Sequence, residues 1–291
     1  MKRFEGIFAV MMTPYDEMGD IDRDATREMA DFLIESGVHG LVALGSNGEC
    51  PYLCHHHQKD MIDTVVEAAG GRVPVIAGIN ERGAEPALEM ATYAQEAGAD
   101  GLLVALSLFY KLEMASVHDY YHALSRALDI PILYYNFPAN TGLILSPEEI
   151  ADLAEKEGLA GAKETIFDLD ELAGLVEAAG EDFSVFTGMC LNLRGAMERG
   201  ACGAICPLPN LLPKKAVALY EACRAGDSEG ARELQEEINR FAPLLVSQAM
   251  LKEALRLSGH EMSARVKNPL PQLSEEQASQ VRRLLEEKDM I

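Results

Sequence analysis

Lys163 closes the short apolar run Leu159-Ala160-Gly161-Ala162-Lys163 and is followed by Glu164-Thr165. A lysine at a strand end is ordinarily a solvated cap. Set inside a sheltered cavity it has a specific chemistry: an ammonium held from water releases its proton more readily, and the free amine attacks a ketone to form a Schiff base. The protonated imine then accepts the electron pair left when a neighbouring C–C bond breaks, as in class I aldolases. Alternation puts Gly161 on the face of Lys163, where its missing side chain is expected to leave room beside the amine. Forming and hydrolysing the imine also requires a proton carrier. Tyr135, in Pro131-Ile132-Leu133-Tyr134-Tyr135-Asn136, is the candidate. Adjacent strand residues face opposite sides, so one of Tyr134 and Tyr135 points inward and the other toward a packing layer; the alternative is two packing aromatics with bonded hydroxyls.

A third segment, Gly45-Ser46-Asn47-Gly48-Glu49, is a glycine-flanked turn whose backbone N–H groups suit an anion. It is no P-loop, since no Lys-Ser or Lys-Thr follows, and such a turn can also serve only to reverse the chain. Cys50/Cys54 and Cys202/Cys206 share a C-x3-C spacing, and His55-His56-His57 follows the first pair. A zinc site is conceivable there, but the segment lacks the second half of a zinc knuckle. The expectation is therefore no metal, with the histidines exposed at a helix start and the cysteines acting as small hydrophobes.

These residues need strands to hold them. Apolar runs at Gly6 to Met12, Gly40 to Leu44, Val73 to Gly78, Gly101 to Leu106, Pro131 to Asn136, Leu159 to Lys163, Phe183 to Gly188 and Ala204 to Cys206 alternate with amphipathic stretches such as Asp24 to Ser36, Gln58 to Ala69, Pro86 to Ala97 and Val117 to Leu128. Alternation of this kind means parallel strands joined by crossover helices. One phrase recurs around Gly37, Gly98 and Gly200: helix end, glycine, turn, strand. Eight such units, the last helix being Pro213 to Ala225, predict an α/β fold of the (β/α)8 TIM-barrel type over 1–225. A C-terminal helical appendage over 226–291 is expected to contain Ser228 to Gln248, Leu251 to Leu257 and Ser274 to Lys288. A doubly wound open sheet is the alternative, but no G-x-G-x-x-G follows the first strand.

The 291 residues carry a formal charge of −22, with no basic stripe, which argues against nucleic acid. With 48% hydrophobic and 25% charged residues the chain can fill a large core. No apolar run reaches the ~18 residues of a membrane span, and no secretory h-region follows the N-terminus. Six cysteines without a CxxC do not form a secreted disulfide framework. These features predict a cytoplasmic protein.

The sequence resembles the dihydrodipicolinate synthase and N-acetylneuraminate lyase family of pyruvate-dependent class I aldolases, from Thr13-Pro14 through the helical tail. Gly45-Ser46-Asn47-Gly48-Glu49 resembles its G-[ST]-x-G-E loop, Tyr135-Asn136-Phe137-Pro138 with Thr141-Gly142 its Y-N-x-P-x-x-T-G segment, and Gly161-Ala162-Lys163-Glu164-Thr165 its G-x-K-[DE]-[ST] lysine. The resemblance implies Lys163 as the Schiff-base residue, Tyr135 as proton donor and acceptor, and Ser46 and Asn47 as holders of the 2-oxo acid carboxylate. It also implies substrate contacts from Thr165, Asn140, Gly188 at the end of strand seven and the backbone of Ile205. No cofactor is expected, because the iminium replaces a Lewis acid. The implied partners are pyruvate, an aldehyde and further copies of the chain in a homodimer or homotetramer.

Two departures stand out. Many relatives carry Pro-Tyr-Tyr after strand four, the second tyrosine reaching a neighbour's proton relay; here the segment is Ser107-Leu108-Phe109, then Tyr110. Dihydrodipicolinate synthases carry an arginine for the aldehyde's carboxylate where this chain has Asn140. The resemblance therefore points to cleavage of 2-keto-3-deoxy sugar acids or 4-hydroxy-2-oxoglutarate. Its alternatives are dihydrodipicolinate synthesis and a non-catalytic barrel that binds a 2-oxo acid.

Overall fold

A computed structural model describes residues 3–291. Eight short parallel strands follow one another around a closed barrel: β1 (Gly6–Val10), β2 (Gly40–Ala43), β3 (Val75–Ile79), β4 (Gly101–Val104), β5 (Ile132–Asn136), β6 (Gly161–Glu164), β7 (Ser184–Thr187) and β8 (Gly203–Cys206). β1 pairs with β8, Gly6 opposite Gly203 and Phe8 opposite Ile205, so the sheet has no free edge. That closure decides for the (β/α)8 barrel over the open sheet. The helices are α1 (Arg23–Glu35), α2 (His55–Ala69), α3 (Ala84–Ala97), α4 (Met114–Ser125), the single turn α5 (Pro138–Thr141), α6 (Pro147–Glu157), α7 (Leu169–Ala179), α8 (Leu193–Met197), α9 (Pro213–Ala225), α10 (Ser228–Asn239), α11 (Gln248–Leu257) and α12 (Glu275–Glu286). No helix among the described residues is long and apolar enough to cross a membrane.

Strand alternation sorts the apolar side chains into two cores. Phe8, Val10, Ile76, Leu133, Phe186 and Ile205 fill the barrel interior, whereas Ile7, Ala9, Leu41 and Tyr134 face the helices. Phe4, Phe8 and Phe186 meet edge to face, at centroid separations of 5.8 and 5.6 Å, and plug the barrel below the site. Gly37, Gly98 and Gly200 have φ of 89°, 98° and 93°, the left-handed conformation their place after a helix demands.

The structure departs from the expected elements in two instructive places. The stretch Ser228 to Gln248 is not one helix: α10 stops at Asn239 and a 3-10 segment, Ala242–Val246, follows. Pro243 is the cause, because it has no N–H to give and its ring would strike the carbonyl four residues back. β1 stops at Val10 rather than Met12 because the Asn210 side chain takes over the ladder. Its Nδ2 donates to the Val10 carbonyl at 2.7 Å, and its Oδ1 accepts from the Met12 N–H at 3.4 Å.

Candidate active site

Tyr135 and Lys163 are register partners on the neighbouring strands β5 and β6. Both project into the barrel, while Tyr134, one position earlier, packs outward against Tyr121 at a centroid separation of 5.8 Å. Lys163 is 1% exposed, and its Nζ lies 4.1 Å from the centroid of the Tyr135 ring. Burying an ammonium away from a carboxylate is costly; the electron-rich ring face offsets part of that cost. The Tyr135 hydroxyl is 2.9 Å from Ser46 Oγ. Lysine, tyrosine and serine thus stand side by side at the C-terminal ends of the strands, the lysine against the ring face and the serine at its hydroxyl, on the face where such barrels carry their chemistry.

Ser46 is held by a strained turn. Leu44 and Glu49, at the two ends of the loop, have φ of 65° and 64°, a conformation that costs a side-chain-bearing residue energy and persists only where the surroundings enforce it. The enforcement at Glu49 comes from the far end of the chain. Its carboxylate, fully buried, accepts from Lys252 Nζ of α11 at 2.5 Å and from the Lys267 N–H at 2.6 Å. Lys252 Nζ also lies 4.2 Å from the centroid of the Tyr15 ring. The helical region beyond 225 is therefore bonded into the loop that presents Ser46 and Asn47.

A cavity of about 500 Å³ opens above Lys163. Ser46, Asn47, Tyr135, Asn140, Lys163, Thr165 and Gly188 all line it, so seven of the eight residues singled out in the sequence come together. The eighth, Ile205, has its side chain in the barrel interior, and the lining at that strand end comes from Cys206 and Pro207. The Thr165 hydroxyl is buried and without a partner. Among the described residues Lys163 is the only Lys, Arg, Asp or Glu in the lining. The next residue, Glu164, points out of the barrel, where its carboxylate accepts from Asn136 Nδ2 at 2.8 Å and burial pushes its pKa up to about 7.

The space beside Lys163 has a different source from the one expected. A Cβ on Gly161 would lie 2.4 Å from the Ser184 carbonyl oxygen, so that glycine admits the backbone of β7. The residue that makes room for the lysine is Gly188, where a Cβ would lie 2.1 Å from Thr165 Oγ1 and 3.1 Å from Lys163 Cε. The cysteines also differ from expectation. Cys190 and Cys206, 16 residues apart in sequence, are joined by a disulfide across the ends of β7 and β8, their Cα atoms 6.3 Å apart. Cys50 is buried, consistent with a small hydrophobe. Sequence reasoning missed the roof of the cavity: Ala242, Leu245, Val246, Gln248 and Leu270 come from the C-terminal region. Long-range closure leaves no local signal, and only the break at Pro243 hints that this stretch does more than pack.

A profile of the Dihydrodipicolinate synthetase family matches residues 3–288. The chain belongs to that family. It is 32% identical to the 4-hydroxy-tetrahydrodipicolinate synthase of Methanopyrus kandleri, over 99% of this chain and 98% of that protein. It is 31% identical to the probable 2-dehydro-3-deoxy-D-pentonate aldolase YjhH of Escherichia coli K12, over 98% and 97%. Among solved structures it is similar to YagE, a prophage protein of the dihydrodipicolinic acid synthase family from E. coli K12 in complex with pyruvate, with a TM-score of 0.94, 29% identity and 99% of each chain covered. The family is one of lyases, and its relatives include both synthases and sugar-acid aldolases.

Proposed function

We propose that the protein is a class I aldolase that joins pyruvate to an aldehyde, or separates them, through a Schiff base on Lys163. The observation that carries this reading is the buried Lys163 amine over the Tyr135 ring, with the Tyr135 hydroxyl 2.9 Å from Ser46. The neutral amine attacks C2 of pyruvate and the carbinolamine loses water to give the iminium. Tyr135 supplies and recovers the protons of these steps, with Ser46 as its hydrogen-bonded partner. Ser46 and Asn47 hold the carboxylate. The iminium then draws electrons from C3: in synthesis C3 loses a proton and the enamine attacks the aldehyde, and in cleavage the C3–C4 bond breaks to leave the same enamine.

The substrate is a 2-keto-3-deoxy sugar acid in preference to 4-hydroxy-2-oxoglutarate. The latter carries a second carboxylate, and among the described residues the cavity offers no second cation, whereas Asn140, Thr165 and Gln248 offer neutral partners for hydroxyls. Dihydrodipicolinate synthesis is the second reading, favoured by the M. kandleri relative; Asn140, where a guanidinium would be needed, weighs against it. Borohydride reduction with pyruvate should leave a covalent adduct on Lys163, and an adduct elsewhere, or none, overturns the mechanism. Screening pyruvate against a panel of aldehydes separates the two readings: a kcat/KM highest for aspartate semialdehyde restores the synthase.

The assembly is at least a dimer, formed where Phe109 and Tyr110 stand 80% and 76% exposed after β4. We place the protein in the cytoplasm. The Cys190–Cys206 bridge is at odds with that compartment, whose thiol buffers keep most such pairs reduced, so the redox state of the pair in cell extracts checks the location.

A further inference from the structure

The start of α2, outside the aldolase cavity, gathers a second set of reactive side chains. Cys54 is the N-cap of this helix, and its side chain makes no capping bond. Its Sγ lies 3.2 Å from Nδ1 of His56 and 3.2 Å from Nδ1 of His57. The three atoms are all within 4.8 Å of one another, the only such Cys/His/Asp/Glu grouping among the described residues. The pairs suggested by the C-x3-C spacing play no part. Cys50 is buried with its sulfur toward the Gly78 carbonyl, and His55 turns to Glu81, 3.4 Å away. Cys202 stands at the opposite end of β8 from Cys206.

Hydrogen-bond bookkeeping shows what the grouping could offer a cation. His57 Nε2 is 2.9 Å from Asp20 Oδ1, and a carboxylate only accepts, so Nε2 carries the proton. In the neutral ring Nδ1 then presents a lone pair to Cys54. The thiol can donate to only one of the two imidazole nitrogens, so with His57 Nδ1 as its acceptor the other contact is met only when His56 is the Nδ1–H tautomer and donates to the sulfur. A cation bound by thiolate and both nitrogens satisfies all three atoms at once. Tetrahedral zinc, with bonds of about 2.3 Å to sulfur and 2.0–2.1 Å to nitrogen, sets its ligand atoms roughly 3.5 Å apart, close to the two sulfur–nitrogen separations of 3.2 Å already present. The Asp20–His57 contact supplies the outer carboxylate that orients a metal-bound histidine. Cys54 and His56 are exposed, which leaves the remaining coordination position to water, while His57 is buried and fixed.

We infer that Cys54, His56 and His57 form a binding site for a borderline-soft divalent cation of the zinc type, oriented by Asp20. One thiolate and two imidazoles select zinc-class ions over magnesium or calcium, which take oxygen ligands. The net charge of −22 favours cation capture. Binding would tie the start of α2 to the β1–α1 loop that carries Asp20. Pro51 and Tyr52, just before Cys54, line the aldolase cavity, so the ion would also stiffen one wall of it.

Cobalt(II) titrated into untagged, chelator-treated protein tests the site. One equivalent should bind with a thiolate-to-cobalt charge-transfer band in the near ultraviolet and visible bands of tetrahedral intensity, and zinc should displace it. Cys54→Ser, which keeps a good helix cap, should remove the charge-transfer band. His56→Ala and Asp20→Asn should each weaken cobalt binding about 10-fold or more. Zinc should also shield Cys54 from alkylation in peptide mass spectrometry. Absence of the band, its persistence in Cys54→Ser, or alkylation of Cys54 unaffected by zinc would each overturn the inference.

Discussion

Ser46 Oγ and the Tyr135 hydroxyl lie 2.9 Å apart although 89 residues separate them in the chain. This bond joins the turn after β2 to the end of β5, where the Tyr135 ring lies against Lys163 Nζ. If Tyr135 moves the protons of imine formation, Tyr135→Phe should lower kcat by about 10²-fold or more. Ser46→Ala should cost less and raise KM for pyruvate as well, because we propose that the hydroxyl also holds the carboxylate. Steady-state kinetics on both variants checks the order; equal kcat losses with unchanged KM would reduce Ser46 to a relay role alone.

Gly188→Ala should lose activity by at least about 10-fold while keeping the fold, since a misplaced reacting group is costly even where the global structure survives. The added methyl would collide with Thr165 Oγ1 and press on Lys163 Cε. Circular dichroism should be unchanged and borohydride trapping slowed. Gly161→Ala should instead lower the melting temperature, because there the methyl meets the Ser184 backbone.

The buried Glu49–Lys252 pair should matter for stability and for the site together. Removing one partner leaves an uncompensated buried charge, at a cost of about 3–5 kcal/mol. Lys252→Met should therefore lower the denaturation midpoint sharply, and Glu49→Gln/Lys252→Met should recover part of the loss. Pyruvate affinity should fall in both, since Glu49 anchors the turn that bears Ser46 and Asn47. Deletion of 226–291 should abolish activity for the same reason.

Glu164 contributes a pH dependence of defined sign. Burial raises its pKa from 4.5 to about 7, so between those values the folded protein holds a proton that the unfolded chain has released. Stability from this group is full below the unfolded value and is lost as pH rises through about 7. Glu164→Gln keeps the shape without the charge. It should flatten this component and raise stability at pH 8 by an amount of order 2 kcal/mol relative to the parent. Thermal melts of both proteins from pH 5 to 8 check it.

Phe109→Asp should disrupt the proposed dimer and lower activity together, by placing a charge in what we propose is an apolar contact. Phe109→Tyr should leave the rate within about 3-fold if, as we propose, the phenylalanine there serves packing and water exclusion rather than proton transfer. Sedimentation at assay concentration reads the first effect. A fully active monomer would defeat the interface, and a large rate gain in Phe109→Tyr would restore the relay.

Periodicity was enough for the barrel, because each βα unit must bury its own apolar face and writes that need into consecutive residues. That one of Tyr134 and Tyr135 points inward, and that Lys163 lies near the end of a strand, were legible for the same reason: alternation and approximate strand boundaries are local properties, although β6 runs on to Glu164. What joins strands is not local. Only the closed barrel made Tyr135 and Lys163 register partners, gave to Gly188 the role expected of Gly161, and brought Cys190 against Cys206. The roof from 242 to 270 and the Lys252–Glu49 bond, 203 residues apart, likewise had no signature in either segment. The same holds for the cluster at α2. Spacing proposed Cys50 with Cys54, and the helix start turned Cys50 inward and set His56 and His57 around Cys54, because ligand geometry depends on side-chain direction rather than on distance along the chain.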